Sequence, residues 1–354
     1  MVLRRSRGSA DAAASGERCG ECGGQTARVS DSERLACKRV SEGWKGSMEP
    51  FTLRDVAGAT DSAAGIAGNV RRLVLGVVQA PELPIQDVTL LDSLLPGKML
   101  RTHFGAALSL AGGHPAGLDV LLKTCAAVEL VHTGTLCHDD VIDQALMRRS
   151  CPTLWRSAGA STAVLIGDWF LCSSLELVMQ AADGLYANAF LQKVREVCAA
   201  EIAQELVHRG RQLDEATCLH LARGKTGPLF AFVGHVCGGG DRVLAAALQE
   251  AGYQVGTAYQ LLDDLLDCHG AEPVAGKTLG TDALRSKDTM AQHGPTAPAL
   301  TMDHVQRLCT SALDQVSAWP AVRAALAAFL REHLLAALPL PPASERRLAA
   351  GLVV

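Results

Sequence analysis

The amino-acid sequence predicts an all-α protein, and three observations lead to this fold class. Apolar residues make up 48% of the 354 residues but aromatic residues only 4%, so the core must be aliphatic and rich in alanine, as helix packing favours. Over Leu118–Ile142 the apolar residues recur with a period of about 3.6, which predicts one long helix. A second stripe with this period covers Val70–Val78 and ends before Pro81 and Pro84.

Residues 1–47 differ in composition from the rest of the chain, because they are rich in Arg, Ser, Ala and Gly and show no amphipathic period. We therefore expect a disordered amino-terminal extension over 1–47 and a single all-helical domain over 48–354. Cys19, Cys22 and Cys37 are one ligand short of a structural zinc site. An organellar transit peptide remains an alternative, although the acidic residues of the extension are unusual for one.

Charge and cysteine content restrict the class of protein. The formal net charge is −4 without a dense run of Lys or Arg, which argues against a nucleic-acid surface. The twelve cysteines are scattered through apolar segments, which indicates reduced thiols and a cytoplasmic protein. No run of about 18 uninterrupted apolar residues occurs, so no transmembrane helix is expected.

The turn at Gly97 and Lys98 introduces the next predicted helix. Lys98 and Arg101 are three residues apart, so we expect both on one helix face, where they can bind one phosphate group. The alternative is a pair of surface cations whose aliphatic stems lie along the protein.

Three carboxylates lie near the end of the long predicted helix. Asp139 and Asp143 are one turn apart on the same face, with Asp140 beside them. Carboxylates this close repel one another unless cations lie between them, and Mg²⁺ prefers such ligands together with water and phosphate. Arg148 and Arg149 follow and would supply forked donors for a diphosphate. Taken alone, the cluster has the alternative of a solvated acidic helix end.

A second cluster repeats this carboxylate spacing further along the chain. Asp263, Asp264 and Asp267 lie in an apolar helical run, where carboxylates are costly to bury without metal or partners. Two helices presenting matching triads across a cavity would hold Mg²⁺ ions around one diphosphate. Such an arrangement is a site for ionising a diphosphate ester.

Several motifs in this order resemble those of the trans-isoprenyl diphosphate synthases, and among these the long-chain polyprenyl diphosphate synthases most. They are the two Asp-Asp-x-x-Asp motifs, the Arg-Arg pair after the first, Gly-Lys-x-x-Arg at Gly97–Arg101, and Gly-Lys-x-x-Gly-x-Asp at Gly276–Asp282. The resemblance covers about residues 60–300.

The resemblance implies an isoprenoid-synthase-type bundle of about ten to twelve mostly antiparallel helices around a deep central cavity, with both triads near its mouth. It also implies head-to-tail prenyl transfer, in which an allylic prenyl diphosphate loses diphosphate and isopentenyl diphosphate attacks the resulting cation. About three Mg²⁺ ions per active site are expected. A homodimer is expected, with a heteromer as the alternative.

The same resemblance implies roles for cationic residues around two substrates. The isopentenyl diphosphate pocket would consist of Lys98, Arg101, His132 and Arg149. His132 precedes Asp139 by seven residues, so it lies on the same face of the long helix.

For the allylic substrate, the resemblance implies that Arg148, Lys225 and Lys277 balance the charge of the leaving diphosphate. Thr226 and Gln260 would stabilise the carbocation through their dipoles. Glu201 and Gln204 resemble the family's Glu-x-x-Gln element, although ordinary helix polarity explains this pair equally well.

The sequence also departs from the family pattern. Thr102 and Ser150 stand where proline and glycine are usual, and Leu284–Pro298 does not follow the usual loop sequence. Lys287 is the candidate for the lysine of that loop.

Product length is predicted from helix geometry. Thr135 and Gly134 lie about one turn before Asp139, so we expect them to meet the growing chain first. In the family that this chain resembles, a large aromatic residue at this place closes the tunnel and limits the product to farnesyl length. Neither Gly134 nor Thr135 is large. One turn advances about 5.4 Å, close to one isoprene unit, so we expect a product of geranylgeranyl length or longer. Trp169 or Phe170, on a neighbouring helix, would be able to close the tunnel.

Two alternatives belong to other classes of protein. A class I terpene cyclase also ionises a prenyl diphosphate, but it does not need the Gly97–Arg101 element as a second diphosphate site. A non-catalytic partner subunit of a heteromeric polyprenyl diphosphate synthase tends to lose the Asp triads, and both are intact here.

Overall fold

The computed structural model describes residues 61–83, 85, 90, 94–269, 286–294 and 296–334. Within these ranges the chain is helical apart from turns and one short hairpin, so the all-α prediction is confirmed. The extension predicted for 1–47 and the candidate Lys277 lie outside the described residues.

The α-helices of the described ranges are α1 (Ala63–Val78), α2 (Leu100–Ala111), α3 (Leu118–Asp143), α4 (Leu154–Ala158), α5 (Ala160–Gln180), α6 (Ala187–Ala203), α7 (Glu215–Cys237), α8 (Arg242–His269), α9 (Ala297–Gln315) and α10 (Pro320–Phe329). Strands β1 (Met147–Arg148) and β2 (Cys151–Pro152) form an antiparallel hairpin. Short 3₁₀ turns cover Ala181–Gly184 and Met290–Gln292, and π turns cover Gln204–His208 and Leu330–Leu334.

Local sequence determines where several helices begin. Ser62 caps α1 by accepting a hydrogen bond from the Gly65 amide at 3.1 Å. Asp214 caps α7 in the same way, through the Thr217 amide at 2.7 Å. Each cap satisfies a backbone donor that the helix itself leaves without a partner.

Helix α3 lies at the centre of the bundle and packs against α1, α2, α5 and α7. Its buried residues occupy several faces rather than one stripe, as expected of a core helix. Helices α7 and α8 approach closely because several residues at their contact are glycines, which have no side chain to keep the backbones apart. A Cβ on Gly256 would lie 2.6 Å from the Gly227 Cα, and one on Gly252 would lie 2.6 Å from the Phe230 carbonyl oxygen. This close approach brings the second Asp triad beside α7.

Two segments are long and apolar enough to cross a membrane by length and composition, which differs from the prediction of no such helix. Helix α3 is one of them, and its most apolar window is 72% buried in the bundle. The other segment, Ala160–Gly184, contains α5 and is only 33% buried. A core helix passes the same test, so these properties are weak grounds for a membrane span.

Eight of the described cysteines are free thiols, in agreement with the sequence-based expectation. Cys151 is disulfide-bonded, which differs from that expectation.

Candidate active site

The first Asp triad lies at the carboxyl end of α3, and two of its members contact protein cations. Arg148 donates from Nε and Nη2 to the Asp140 carboxylate, at 2.7–3.2 Å. Asp140 is buried, and burial raises its pKa although Arg148 opposes the shift. Lys287 is also buried and its Nζ lies 2.7 Å from Asp143 Oδ1. The loop residue Lys287 therefore reaches the triad, as its proposed correspondence to the family lysine suggested.

The direction of each arginine follows from the hairpin between α3 and α4. Arg149 and Ser150 form its two-residue turn and have φ angles of 53° and 61°. A two-residue turn with positive φ at both central positions matches the twist of a hairpin, so the backbone tolerates Ser150 where the family has glycine. Arg148 lies on β1 and reaches Asp140, whereas the Arg149 guanidinium donates to the Leu95 carbonyl oxygen.

Asp139 lies where several charged groups meet. Burial raises the pKa of Asp139 to about 7, the Glu201 carboxylate adds to this shift, and Lys225 opposes it. Lys225 donates to Gln204 Oε1 at 2.6 Å and lies 3.2 Å from Glu201 Oε1. Glu201 and Gln204 therefore contact the lysine that lies near Asp139, an arrangement that the sequence did not distinguish from ordinary helix polarity.

The second triad lies on α8 and is tied to α7 by a chain of hydrogen bonds. Thr226 Oγ1 donates to Gln260 Oε1 at 2.5 Å, and Gln260 Nε2 donates to Asp264 Oδ1 at 2.9 Å. Asp264 and Asp267 are buried, whereas Asp263 is exposed. Three of the predicted site residues thus form one contiguous chain.

Arg148 shows that the two triads face one another. Burial opposes its charge, but hydrogen bonds to Asp140 and the negative charges of Asp140, Asp139 and Asp263 raise the pKa of its guanidinium. A single side chain therefore lies in the field of carboxylates from both α3 and α8.

The donor set of the two triads fits divalent magnesium. All of the candidate ligands are carboxylate oxygens, which Mg²⁺ prefers over nitrogen or sulfur. The raised pKa of Asp139 indicates that the negative charge of this group is poorly balanced by the described side chains. A cation between the helices would remove that imbalance.

A cationic pocket lies two turns before the first triad, and Arg101 is its buried member. Arg101 is 8% exposed, its Cζ lies 5.3 Å from the centre of the Phe230 ring, and its Nε is buried without a hydrogen-bond partner. Burial lowers the pKa of Arg101. Burial also lowers the pKa of His132 well below its usual value, and the charges of Arg101, Arg149 and Arg148 lower it further. Arg101, His132 and Arg149 therefore lie close enough to interact electrostatically, and their predicted role in binding isopentenyl diphosphate stays a prediction.

Gly97 completes this pocket because its missing side chain makes room for an arginine. A Cβ on Gly97 would lie 2.7 Å from the Arg149 Cζ. The Arg71 guanidinium donates to the Gly97 carbonyl oxygen at 3.3 Å. Arg71 is not among the residues predicted from the sequence, because the Arg71–Arg72 pair in α1 belongs to no motif that marks it.

The prediction that Lys98 and Arg101 share one helix face is wrong. Met99 has a φ of 49° and caps α2, which begins at Leu100, so Lys98 precedes the helix. Lys98 is exposed whereas Arg101 is buried. A three-residue spacing is typical of one helix face, but the left-handed residue between Lys98 and Arg101 turns the two side chains into different environments.

Gly134 does not lie where the tunnel argument expected it. A Cβ on Gly134 would lie 2.9 Å from the Gly167 carbonyl oxygen and 3.4 Å from the Phe170 Cβ, so this glycine is the contact between α3 and α5. Thr135 is partly exposed and its hydroxyl donates to the His132 carbonyl oxygen at 3.0 Å. The face that carries Thr135 is therefore the remaining candidate for the chain-length position.

These features define an all-α bundle in which two facing carboxylate triads adjoin a cationic pocket. Residues 88–299 match the family model described as polyprenyl synthetase, and the chain belongs to that family.

Two curated relatives illustrate the range of the family. The chain is 32% identical over 197 residues to the geranylgeranyl diphosphate synthase of Mycobacterium tuberculosis, with 53% of this chain and 56% of the relative covered. It is 33% identical over 209 residues to the (2E,6E)-farnesyl diphosphate synthase of Mycobacterium bovis, with 55% of each covered. The aligned segment thus spans little more than half the length of these relatives.

Among solved structures, the fold is similar to the polyprenyl synthase of Caulobacter crescentus CB15, which was crystallised with calcium and isoprenyl diphosphate. The TM-score is 0.67 at 23% identity, with 86% of this chain and 99% of that chain covered. This likeness supports the predicted helical bundle.

Proposed function

We propose that this protein is a Mg²⁺-dependent trans-prenyltransferase that condenses an allylic prenyl diphosphate with isopentenyl diphosphate. The single observation that carries the proposal is the pair of oppositely charged pockets beside α3: the Asp triad facing α8, and the buried Arg101 grouped with His132 and Arg149. Family membership supports the same reaction class. The reaction needs two such pockets, because the allylic substrate loses its diphosphate whereas isopentenyl diphosphate keeps its own.

The acidic pocket would hold the allylic diphosphate. We assign Asp139, Asp143 and Asp263 as magnesium ligands, while Arg148 and Gln260 orient the neighbouring Asp140 and Asp264. When bound, the magnesium ions supply Lewis-acid stabilisation of the charge that develops on the leaving diphosphate.

Cations on the protein would assist the departure of the diphosphate. Lys225 is held by Gln204 and Glu201 beside Asp139, and Lys287 is held at Asp143. Both positive charges are therefore preset where negative charge builds up, so no reorganisation is needed during the reaction. Lys277 is assigned to the same task from the sequence motif alone.

The carbocation would be stabilised by dipoles rather than by charge. Thr226 donates to Gln260, and Gln260 donates to Asp264, so the direction of each dipole is fixed. A fixed amide and hydroxyl beside the reacting carbon lower the energy of the cation without forming a bond to it.

The cationic pocket would bind isopentenyl diphosphate. Arg101 has a buried Nε without a hydrogen-bond partner, which a diphosphate oxygen would satisfy. His132 has a lowered pKa, so it is neutral near pH 7 and would bind through a hydrogen bond rather than a charge. Lys98 is exposed beside this pocket and is assigned to the outer part of the diphosphate.

We further propose a product of geranylgeranyl length or longer. Thr135 is small, lies one turn before Asp139 and is partly exposed, so the chain can pass it. Deeper in the helix, Val131 and Val128 are also of modest size and are buried in the core. The names of the similar relatives include both farnesyl and geranylgeranyl products, so product length has to be measured.

A second copy of this chain is the proposed occupant of an apolar surface on α5 and α6. Leu165 and Met179 on α5 are 68% and 58% exposed, and Leu185, Ile202 and Leu206, in α6 and at its two ends, are 57–79% exposed. Large exposed apolar groups of this kind mark interaction surfaces. Sedimentation of purified protein should give a dimer, and Leu165→Glu should shift it to monomer; a monomeric wild type would contradict the proposal.

Mass spectrometry of products tests the proposed function. Purified protein is incubated with isopentenyl diphosphate and farnesyl diphosphate, with Mg²⁺ or with excess chelator. We expect prenyl diphosphates at least one isoprene unit longer than the primer, formed only with Mg²⁺. A cyclic hydrocarbon made from the primer alone would identify a terpene cyclase instead, and no product in either condition would contradict the assignment.

A further inference from the structure

A thiol, a carboxylate and an imidazole lie together outside the two pockets described above. One ligand atom from each of Cys218, Asp288 and His293 lies within 4.8 Å of the other two. Cys218 is buried in the first turn of α7, and Asp288 and His293 flank the short helix Met290–Gln292. We refer to these three residues as the thiol cluster.

Hydrogen bonds already fix the geometry of the thiol cluster. Asp288 Oδ2 lies 2.8 Å from His293 Nε2 and accepts a hydrogen bond from the Leu213 amide at 2.7 Å. The His293 amide donates to the Met290 carbonyl oxygen at 3.2 Å, and the Cys218 amide donates to the Asp214 carbonyl oxygen at 3.0 Å. The three ligand groups are thus held in place by α7 and by the turn that precedes α9.

The charges around the thiol favour a cation. Burial raises the pKa of the Cys218 thiol to about 12, and the carboxylates of Asp288, Asp264 and Asp214 contribute to the rise. If a divalent cation displaced the thiol proton, the Cys218 thiolate and the Asp288 carboxylate would together balance its two positive charges. Such a site would be electrically neutral, which is favourable in a buried location.

We propose that Cys218, Asp288 and His293 bind a zinc ion, with water as the fourth ligand. Zinc accepts thiolate, imidazole and carboxylate ligands together in tetrahedral sites, whereas magnesium requires oxygen ligands. Binding releases the Cys218 thiol proton to solvent, shifts the proton of the neutral His293 imidazole from Nε2 to Nδ1, and replaces the Asp288–His293 hydrogen bond by two metal bonds. Tetrahedral zinc ligands lie about 3.3–3.8 Å apart, so each side chain moves by on the order of 1 Å or less.

The position of this site connects it to the first Asp triad. Asp288 directly follows Lys287, whose Nζ lies 2.7 Å from Asp143 Oδ1. Zinc at the thiol cluster would hold the backbone on both sides of Met290–Gln292 against α7. It would therefore act as a positioning device for Lys287, separate from the magnesium ions of the two triads.

Cobalt substitution tests this proposal independently of activity. Full-length protein is first treated with chelator and then supplied with saturating Mg²⁺, which occupies the carboxylate sites of the two Asp triads. It is then titrated with Co²⁺ as a spectroscopic substitute for Zn²⁺. We expect a thiolate-to-cobalt charge-transfer absorption that Zn²⁺ abolishes by displacement. Absence of this absorption in the wild type would overturn the proposal.

Variants assign the absorption to the cluster. Cys218→Ser should remove one equivalent of thiolate-bound cobalt, and His293→Ala should weaken zinc binding tenfold or more while the helical circular dichroism is unchanged. The matched control is Cys309→Ser, which removes another buried thiol on α9 and should leave cobalt binding as in the wild type. If Cys218→Ser retains the full absorption, or if Cys309→Ser loses it, the assignment is wrong.

Discussion

The two pockets of this protein carry opposite charges on the same helix, about 10 Å apart along α3. In the acidic pocket, burial raises the pKa of Asp139 to about 7. In the cationic pocket, burial and neighbouring arginines lower the pKa of His132. In each pocket burial disfavours charge on the protein's own groups, which is consistent with the counter-ions proposed above: a divalent cation in one and a diphosphate in the other.

Arg148 interacts with groups in both pockets. Its guanidinium is bound to Asp140 and lies in the field of Asp139 and Asp263, while its positive charge also lowers the pKa of His132. The charge in both pockets thus depends in part on Arg148. The Arg149–Ser150 turn of the hairpin sets the direction in which its side chain extends.

The largest expected effect comes from removing a metal ligand. Asp139→Ala or Asp263→Ala should lower kcat/KM by roughly a hundredfold or more, because the leaving diphosphate then lacks a bridging cation. Steady-state kinetics with circular dichroism to confirm folding would measure this. Asp303→Ala, at an exposed position on α9, is the matched control and should be unchanged. Near-normal turnover in either triad variant would contradict the metal assignment.

The next effect separates the pockets by substrate. Arg101→Ala should raise the KM for isopentenyl diphosphate by about tenfold or more, because a charge-assisted hydrogen bond in a buried pocket is lost. Lys225→Ala should raise the KM for the allylic substrate instead, because its partners Gln204 and Glu201 lie beside Asp139. If both variants impair the same substrate, the division into two pockets is wrong.

Gly134 and Thr135 provide a paired test of the tunnel. Gly134→Phe should lower the free energy of unfolding by about 1–3 kcal/mol or more, since even a Cβ meets the Gly167 carbonyl oxygen at 2.9 Å. Thr135→Phe should keep the stability but shorten the product by about one isoprene unit. Denaturant titration and product mass spectrometry would measure the two effects. Unchanged product length in Thr135→Phe would remove this position from the tunnel.

The raised pKa of Asp139 predicts a pH dependence of stability without metal. Between the usual pKa of 3.8 and the folded-state value of about 7, the folded protein keeps a proton that the unfolded chain has lost. The contribution of Asp139 to the free energy of unfolding therefore falls as pH rises through this window. Denaturation of chelator-treated protein at about pH 5 and about pH 8 should show a smaller difference for Asp139→Asn than for the wild type. An equal difference in the two proteins would show that Asp139 titrates normally.

The smallest effect concerns the amino-terminal extension. Deletion through Ser47 should leave kcat within about twofold, because this segment has no apolar period with which to bury a helix face. Aggregation or loss of activity would show that the extension belongs to the folded domain.

The all-α class was predictable from the sequence, and so were most of the residues that the structure brings together, because both depend on local spacing; the roles of those residues stay predictions. The period of α3 and the repeated carboxylates identify helix faces directly, and the hydrogen-bonded chain from Thr226 through Gln260 to Asp264 joins residues that the motifs had marked. Glu201 and Gln204 remained undecided because their spacing is common to any polar helix, and only the contact with Lys225 distinguishes them.

The errors arose where tertiary packing or a single backbone angle decides the outcome. The positive φ of Met99 separates Lys98 from Arg101, and no local signal in the sequence marks a methionine as left-handed. In the sequence, the small size of Gly134 indicates open space, but a glycine in a core helix equally permits another helix to approach, here α5 at Gly167. The thiol cluster joins residues far apart in sequence, so spacing alone gave no indication of it.

Calorimetric titration of the two substrates, with and without Mg²⁺, tests the central distinction most directly. Isopentenyl diphosphate should bind with similar affinity in chelator and in Mg²⁺, because its pocket already contains Arg101, His132 and Arg149. A non-reactive allylic diphosphate analogue should bind only with Mg²⁺, because its pocket is acidic. Binding of isopentenyl diphosphate that requires Mg²⁺, or binding of the analogue in chelator, would contradict the assignment of oppositely charged pockets.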